Sequence, residues 1–118
     1  MDTRIHRAIR DLADSLNREF GMVASGYRAI VDGAEEAIAS ASRCDLRGML
    51  VSFKSVEGWL DHLKEAAARL PNPSFRNARP ADQNRIIGRL NEIEDKLIGS
   101  LMLELSSSCG CKLVSERK

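Results

Sequence analysis

Apolar residues recur at helical spacing in three long segments of the chain. Steps of three and four residues separate the apolar positions of residues 5–38. In residues 46–70 these steps alternate without interruption, as in a heptad repeat. Residues 86–105 keep the same pattern, and further apolar residues widen its stripe on one flank. The pattern predicts an all-α protein, an antiparallel helical bundle of three long helices with coiled-coil-like packing.

Capping and breaking residues mark the ends of the second and third helices. The stretch SRCD matches a capping box formed by Ser42 and Asp45, and Asp45 alone is the alternative N-cap. The prolines of RLPNPS end the second helix, because proline has no amide hydrogen to donate. Pro80 and Asp82 suit the first turn of the third helix, which we expect to end after Leu105.

The first segment is predicted as one long helix, although glycines weaken it. Gly21, Gly26 and Gly33 each cost about 1 kcal/mol relative to alanine inside a helix. Two successive four-residue steps of the apolar pattern also fall directly before Gly21. No proline or turn dipeptide interrupts the segment, so we favour a continuous helix. A break near Gly21 would instead give a bundle of four helices.

The unequal lengths of the predicted helices suggest an oligomer. A first helix of about 40 residues would run roughly 60 Å, whereas the other two would cover roughly 37 Å. The overhang would leave an apolar stripe in water, which usually marks an interface. We therefore predict a homodimer or a partner helix at this stripe. Its interface residues are Ile5, Ile9, Leu12 and Leu16. In the four-helix alternative, the same residues belong to the core of a monomer.

The end of the sequence is polar and carries two of the three cysteines. We assign residues 1–105 to one helical bundle domain and residues 106–118 to a flexible tail. The motif SSSCGCK supplies the thiols of Cys109 and Cys111, whereas a complete zinc site needs four ligands. We favour a tail without a chemical role. The alternatives are a strained disulfide, or a metal site completed by a second tail or by Cys44.

Composition limits the classes of protein that fit this chain. Its 118 residues suit one domain, and an aromatic content of 4% implies an aliphatic core. A net charge of +1 provides no global field toward nucleic acid or anionic membranes. No apolar run approaches the roughly 18 residues of a membrane span, and the first residues lack the apolar block of a signal peptide. Three cysteines, an odd number, do not make a disulfide framework, and a reducing compartment would leave them as thiols, so we expect a cytoplasmic protein.

Arginines cluster around the loop before the third helix. Five of them, including Arg69, are opposed over that stretch only by Asp82. The planar guanidinium group suits carboxylate or phosphate, so this loop is a candidate docking site for an acidic protein partner. A nucleic-acid backbone is the less favoured partner, because only Phe75 is available for stacking on bases. The predicted partner-binding residues are Arg76, Arg79, Arg85 and Arg89.

No combination of residues in the sequence indicates catalysis. His62 and Glu65, one turn apart, resemble half of a di-iron arrangement that Glu35 and Glu36 would extend, but the only other histidine is the distant His6. We expect no enzyme activity, no metal site and no cofactor. The sequence favours a small protein–protein interaction module, an adaptor, chaperone or regulator that acts as a homodimer. The alternatives are a thiol-dependent metal or redox protein and a nucleic-acid-binding bundle.

Overall fold

The chain forms four α-helices. The computed structural model describes the backbone of residues 3–117 and the side chains of residues 7–109. The helices are α1 (Thr3–Phe20), α2 (Ala24–Ser42), α3 (Leu46–Ala67) and α4 (Gln83–Arg117). A short 3-10 helix, Pro80–Asp82, precedes α4. The all-α prediction is confirmed, with four helices in place of three. None of the described helices is both long and apolar enough to span a bilayer.

The predicted continuous first helix is wrong, because the chain breaks at Gly21. Its φ of 68° is left-handed, a conformation that glycine adopts without the steric cost of a Cβ. The Gly21 amide donates to the carbonyl of Asn17 at 3.0 Å, which closes α1 with a left-handed cap. The Asn17 side chain then donates to the carbonyl of Met22 at 2.9 Å. The four-helix alternative is therefore the correct one.

Asp45 is the N-cap of α3. Its carboxylate accepts a hydrogen bond from the amide of Gly48 at 3.0 Å. The capping box with Ser42 is wrong, because the Ser42 hydroxyl donates to the carbonyl of Ala39 at 2.7 Å, inside α2. Cys44, with φ of 58°, makes the turn between the two helices.

The last helix begins where the sequence predicts and ends later. Pro80 opens the 3-10 helix that leads into α4. The expected end after Leu105 is wrong, because helical backbone continues to Arg117 through most of the predicted tail, residues 106–118. Serine and glycine each cost about 1 kcal/mol or less in a helix. The helix accordingly passes through SSSCG without a break.

The core draws apolar side chains from all four helices and from the loop before α4. α2 and α4 each contact the other three helices. The largest fully buried side chains are Phe75, Ile9, Leu16, Met22, Ile30, Leu60, Leu63, Ile86, Leu90, Ile93, Leu97 and Val56. Most of them occupy the apolar positions of the sequence pattern, so the pattern identifies the core side of each helix.

The residues predicted for a dimer interface lie largely inside this core. Ile9 and Leu16 are buried, and Leu12 is half-buried against the core. Ile5 lies outside the described side chains. The overhang that motivated the interface is absent, because α1 has 18 residues and not about 40. A dimer through these residues would therefore require Ile9 and Leu16 to leave the core.

The loop between α3 and α4, residues 68–82, covers the junction of α1 and α2. The Val23 amide donates to the carbonyl of Ser74 at 3.0 Å, and the Asn77 amide donates to the carbonyl of Phe20 at 3.0 Å. Between these bonds, the side chain of Phe75 is only 1% exposed. This docking places the loop and the start of α4 at the same end of the molecule as the start of α2.

Candidate functional site

Two of the four predicted partner-binding arginines are engaged within the chain. The guanidinium carbons of Arg89 and Arg85 lie 5.1 Å and 5.7 Å from the ring centroid of Phe20. Arg89 also donates to both carboxylate oxygens of Glu19, at 2.7 Å and 3.3 Å, and to the hydroxyl of Ser15. These contacts fasten the start of α4 to the end of α1.

Asp82 organises the turn into α4. Its carboxylate accepts from the Arg79 amide at 3.0 Å and from the Arg85 guanidinium at 2.7 Å. The hydrogen bond from the Arg79 amide is the largest effect that holds the pKa of Asp82 below its ordinary value of 3.8, and the hydrogen bond from the Arg85 side chain is the second. Hydrogen bonds from Arg89 and Ser15 likewise hold the pKa of Glu19 below 4.5.

The lowered pKa values of Glu19 and Asp82 predict that the protein loses stability in acid. Because each pKa is lower in the folded chain, each contributes stability above its unfolded pKa and loses it as pH falls through the folded value. Urea unfolding should give a constant free energy of unfolding above about pH 5 and a declining one below it. The double substitution Glu19→Gln and Asp82→Asn should flatten the decline. An unchanged acid slope in that variant would contradict the assignment.

Arg76 and Arg79 are the exposed members of the arginine cluster. Within the described residues, neither side chain takes part in an ion pair or a hydrogen bond. An open cavity of about 500 Å³ beside Arg79 is lined by both basic and acidic groups. Its lining residues are Glu19, Phe20, Asn77, Arg79, Ala81, Asp82 and Arg85. Partner binding at Arg76 and Arg79 stays a prediction.

The candidate thiol and histidine residues do not form a common site. Cys109 is 1% exposed, and Cys111 lies outside the described side chains. His62 is exposed and meets the ring of Trp59 edge-on at 5.7 Å. No three His, Cys, Asp or Glu side chains come together as a metal site among the residues described.

Large apolar side chains are exposed on α3 and α4. They are Leu46, Leu50, Val51, Ile98, Met102 and Leu103. Leu50 is 51% exposed and Met102 is 64% exposed, values typical of polar surface positions. The sequence pattern treats Leu46 as a core position and Ile98 and Met102 as the flank of a buried stripe. Leu50 and Val51 lie outside the apolar repeat of α3. Large apolar residues outside the repeat are the sequence signal that would have identified exposed apolar side chains, and the sequence analysis did not use it.

An ion pair between α3 and α4 shows which sides of these two helices lie next to each other. The Lys64 ammonium nitrogen lies 3.5 Å from a carboxylate oxygen of Glu94. Leu50 precedes Lys64 by 14 residues, which is two heptads, and Ile98 follows Glu94 by one turn. Leu50 and Ile98 therefore lie on the sides of α3 and α4 that flank their shared groove. Leu103 follows Arg89 by two heptads and so lies on the side of α4 that faces α1.

The fold and its exposed groups define a small all-α protein with apolar side chains outside its core. No protein-family model, curated protein or solved structure matches the chain.

Proposed function

We propose that the protein is a small helical interaction module that binds a protein partner through one apolar face of α3 and α4. This face, called the α3–α4 face, consists of Leu46, Leu50, Ile98 and Met102. The observation that carries the proposal is that four of the six exposed large apolar side chains belong to it, whereas Val51 lies about 100° around α3 from Leu50. Soluble monomers rarely expose contiguous apolar patches above a few hundred Å², and larger ones usually mark a binding site.

The relative direction of α3 and α4 brings these residues together. Leu63, late in α3, lies against Gly26, early in α2. Phe20, just before α2, lies under Arg85 at the start of α4. The end of α3 and the start of α4 thus share one end of the bundle, and we infer antiparallel, coiled-coil-like packing of the two helices.

The antiparallel direction of α3 and α4 determines the length of the α3–α4 face. Counting from the contact between Lys64 and Glu94 at 1.5 Å per residue, Ile98 lies roughly 6 Å along the groove and Leu46 roughly 27 Å. Met102 lies between them, at roughly 12 Å. The face is therefore about 20 Å long, enough for several turns of a partner helix.

The other candidate functions have less support. Arg85 and Arg89 bind Asp82 and Glu19, so the arginine cluster offers fewer groups to a phosphate backbone than the sequence predicts. The buried position of Cys109 disfavours a metal or redox site that needs access from solvent. The proposal is a binding function and assigns no reaction to the protein.

Site-specific photo-crosslinking tests the proposed face. A benzoylphenylalanine incorporated at position 102 should crosslink to another polypeptide in cells, and one at position 103 should not. Leu50→Glu should abolish the crosslink, because a charge at the centre of an apolar interface is costly to bury. Leu103→Glu is the matched control, since Leu103 is also 51% exposed but faces α1. Equal crosslinking from positions 102 and 103 would contradict the proposed face.

A further inference from the structure

We infer that the occupant of the α3–α4 face is a second copy of this chain, docked in the reverse direction about a twofold axis. The inference rests on the proposed function and identifies its partner. A twofold dimer places the same patch of both copies in contact, so the patch must be complementary to itself. The exposed charges, Gly58 and the apolar residues of the face provide that complementarity.

The exposed charges of α3 on this face change sign along the helix. Arg47, Lys54 and Asp61 follow one another at seven-residue intervals, so all three lie on one line of the helix. All three are exposed, and none forms an ion pair with another described residue. The first half of the line is therefore basic and the second half acidic.

α4 adds a second acidic group at the acidic end. Asp95 is exposed and follows Glu94, which contacts Lys64, one turn beyond Asp61 on α3. Asp61 and Asp95 thus lie at the same level along the bundle. A twofold axis that reverses the helices sets α3 against α3 of the second copy, so Arg47 and Lys54 of each copy approach the other copy's Asp61. A copy docked in the same direction would set α3 against α4 and place Asp61 opposite Asp95, two like charges.

Gly58 on the exposed side of α3 allows a close approach. It follows Lys54 by one turn and lies within a helix, where glycine costs about 1 kcal/mol relative to alanine. A Cβ added at Gly58 would meet no other part of the chain within 4 Å, so no contact inside the chain requires a glycine there. Gly58 therefore leaves room for the backbone of a docked helix.

Charge exchange tests the direction of docking. Sedimentation equilibrium should show a wild-type dimer at micromolar concentration and about 0.15 M ionic strength. The basic-half variant, Arg47→Glu with Lys54→Glu, should dimerise roughly tenfold more weakly, and so should the acidic-half variant, Asp61→Lys. Mixing the two variants should restore a dimer that contains one chain of each. The threefold exchange in one chain should restore a homodimer.

Three further substitutions test whether the apolar residues and Gly58 also stabilise the dimer. Leu50→Glu should weaken the dimer roughly 30-fold or more while circular dichroism shows unchanged helicity. Gly58→Ala should weaken the dimer, whereas Gly88→Ala, beyond the end of α3, should not. A monomeric wild-type protein, or a dimer that ignores both half exchanges, overturns the inference. If position 102 then crosslinks only to a different protein, the proposed function stands and the second copy is excluded as its partner.

Discussion

Replacing Phe75 by alanine is expected to lower the free energy of unfolding by about 3–5 kcal/mol, the usual range for a buried phenylalanine. Its side chain is among the largest fully buried ones, although it lies in a loop and not in a helix. The residues beside it hydrogen-bond to the junction of α1 and α2, so loss of the ring also loosens that contact. Urea unfolding followed by circular dichroism measures the change.

Phe53→Ala is the matched control for this prediction. Phe53 is half-buried at the edge of the core, so its truncation removes less buried area and should cost clearly less than that of Phe75. Phe75→Leu should cost less than Phe75→Ala, because leucine keeps most of the buried apolar area. Equal losses for Phe75→Ala and Phe53→Ala would show that the loop does not support the fold as described.

Gly21→Ala is expected to lower the free energy of unfolding by about 2–4 kcal/mol. An alanine in the left-handed conformation costs about 1–2 kcal/mol. Its Cβ would also lie 2.8 Å from the backbone nitrogen of Asn77 and 3.2 Å from that of Arg76. Backbone atoms cannot swing aside as a flexible side chain does, so the loop must move and weaken its hydrogen bonds to the junction.

Gly88→Ala makes the same chemical change as Gly21→Ala, but it is expected to raise the free energy of unfolding. Gly88 lies in α4 with no atom within 4 Å of an added Cβ, so alanine should stabilise the helix by up to about 1 kcal/mol. Thermal and urea unfolding of the two variants should therefore shift in opposite directions. A shift of the same sign and size in both would remove the special role assigned to Gly21.

Elements with strong local signals are predictable from the sequence. The apolar periodicity identifies the core sides of α3 and α4, including Leu60 and Leu90, because helix geometry alone brings such positions to one face. Asp45 and Pro80 mark helix starts, because a cap or a proline acts on amides within one turn. For these elements, the determining interactions lie within a few residues of one another.

The candidate site is less predictable, because exposure depends on distant neighbours. The sequence groups Arg85 and Arg89 with Arg76 as side chains available to a partner. In the structure, the Phe20 ring contacts both Arg85 and Arg89, and Glu19 accepts a hydrogen bond from Arg89, although these residues are 65 to 70 positions apart in the sequence. Met102 belongs to an apolar stripe that periodicity assigns to packing. It is exposed because no other described helix covers that flank of α4.

By itself, the sequence determined an all-helical protein, its aliphatic core and the starts of α3 and α4, since these follow from periodicity and local capping. Only the tertiary structure decided the break at Gly21, where apolar spacing runs on without a proline. The physical reason is that the loop around Phe75 occupies the junction and bonds to Phe20 and Val23 from more than 50 residues away. The same long-range packing decided which apolar side chains of α3 and α4 stay outside the core.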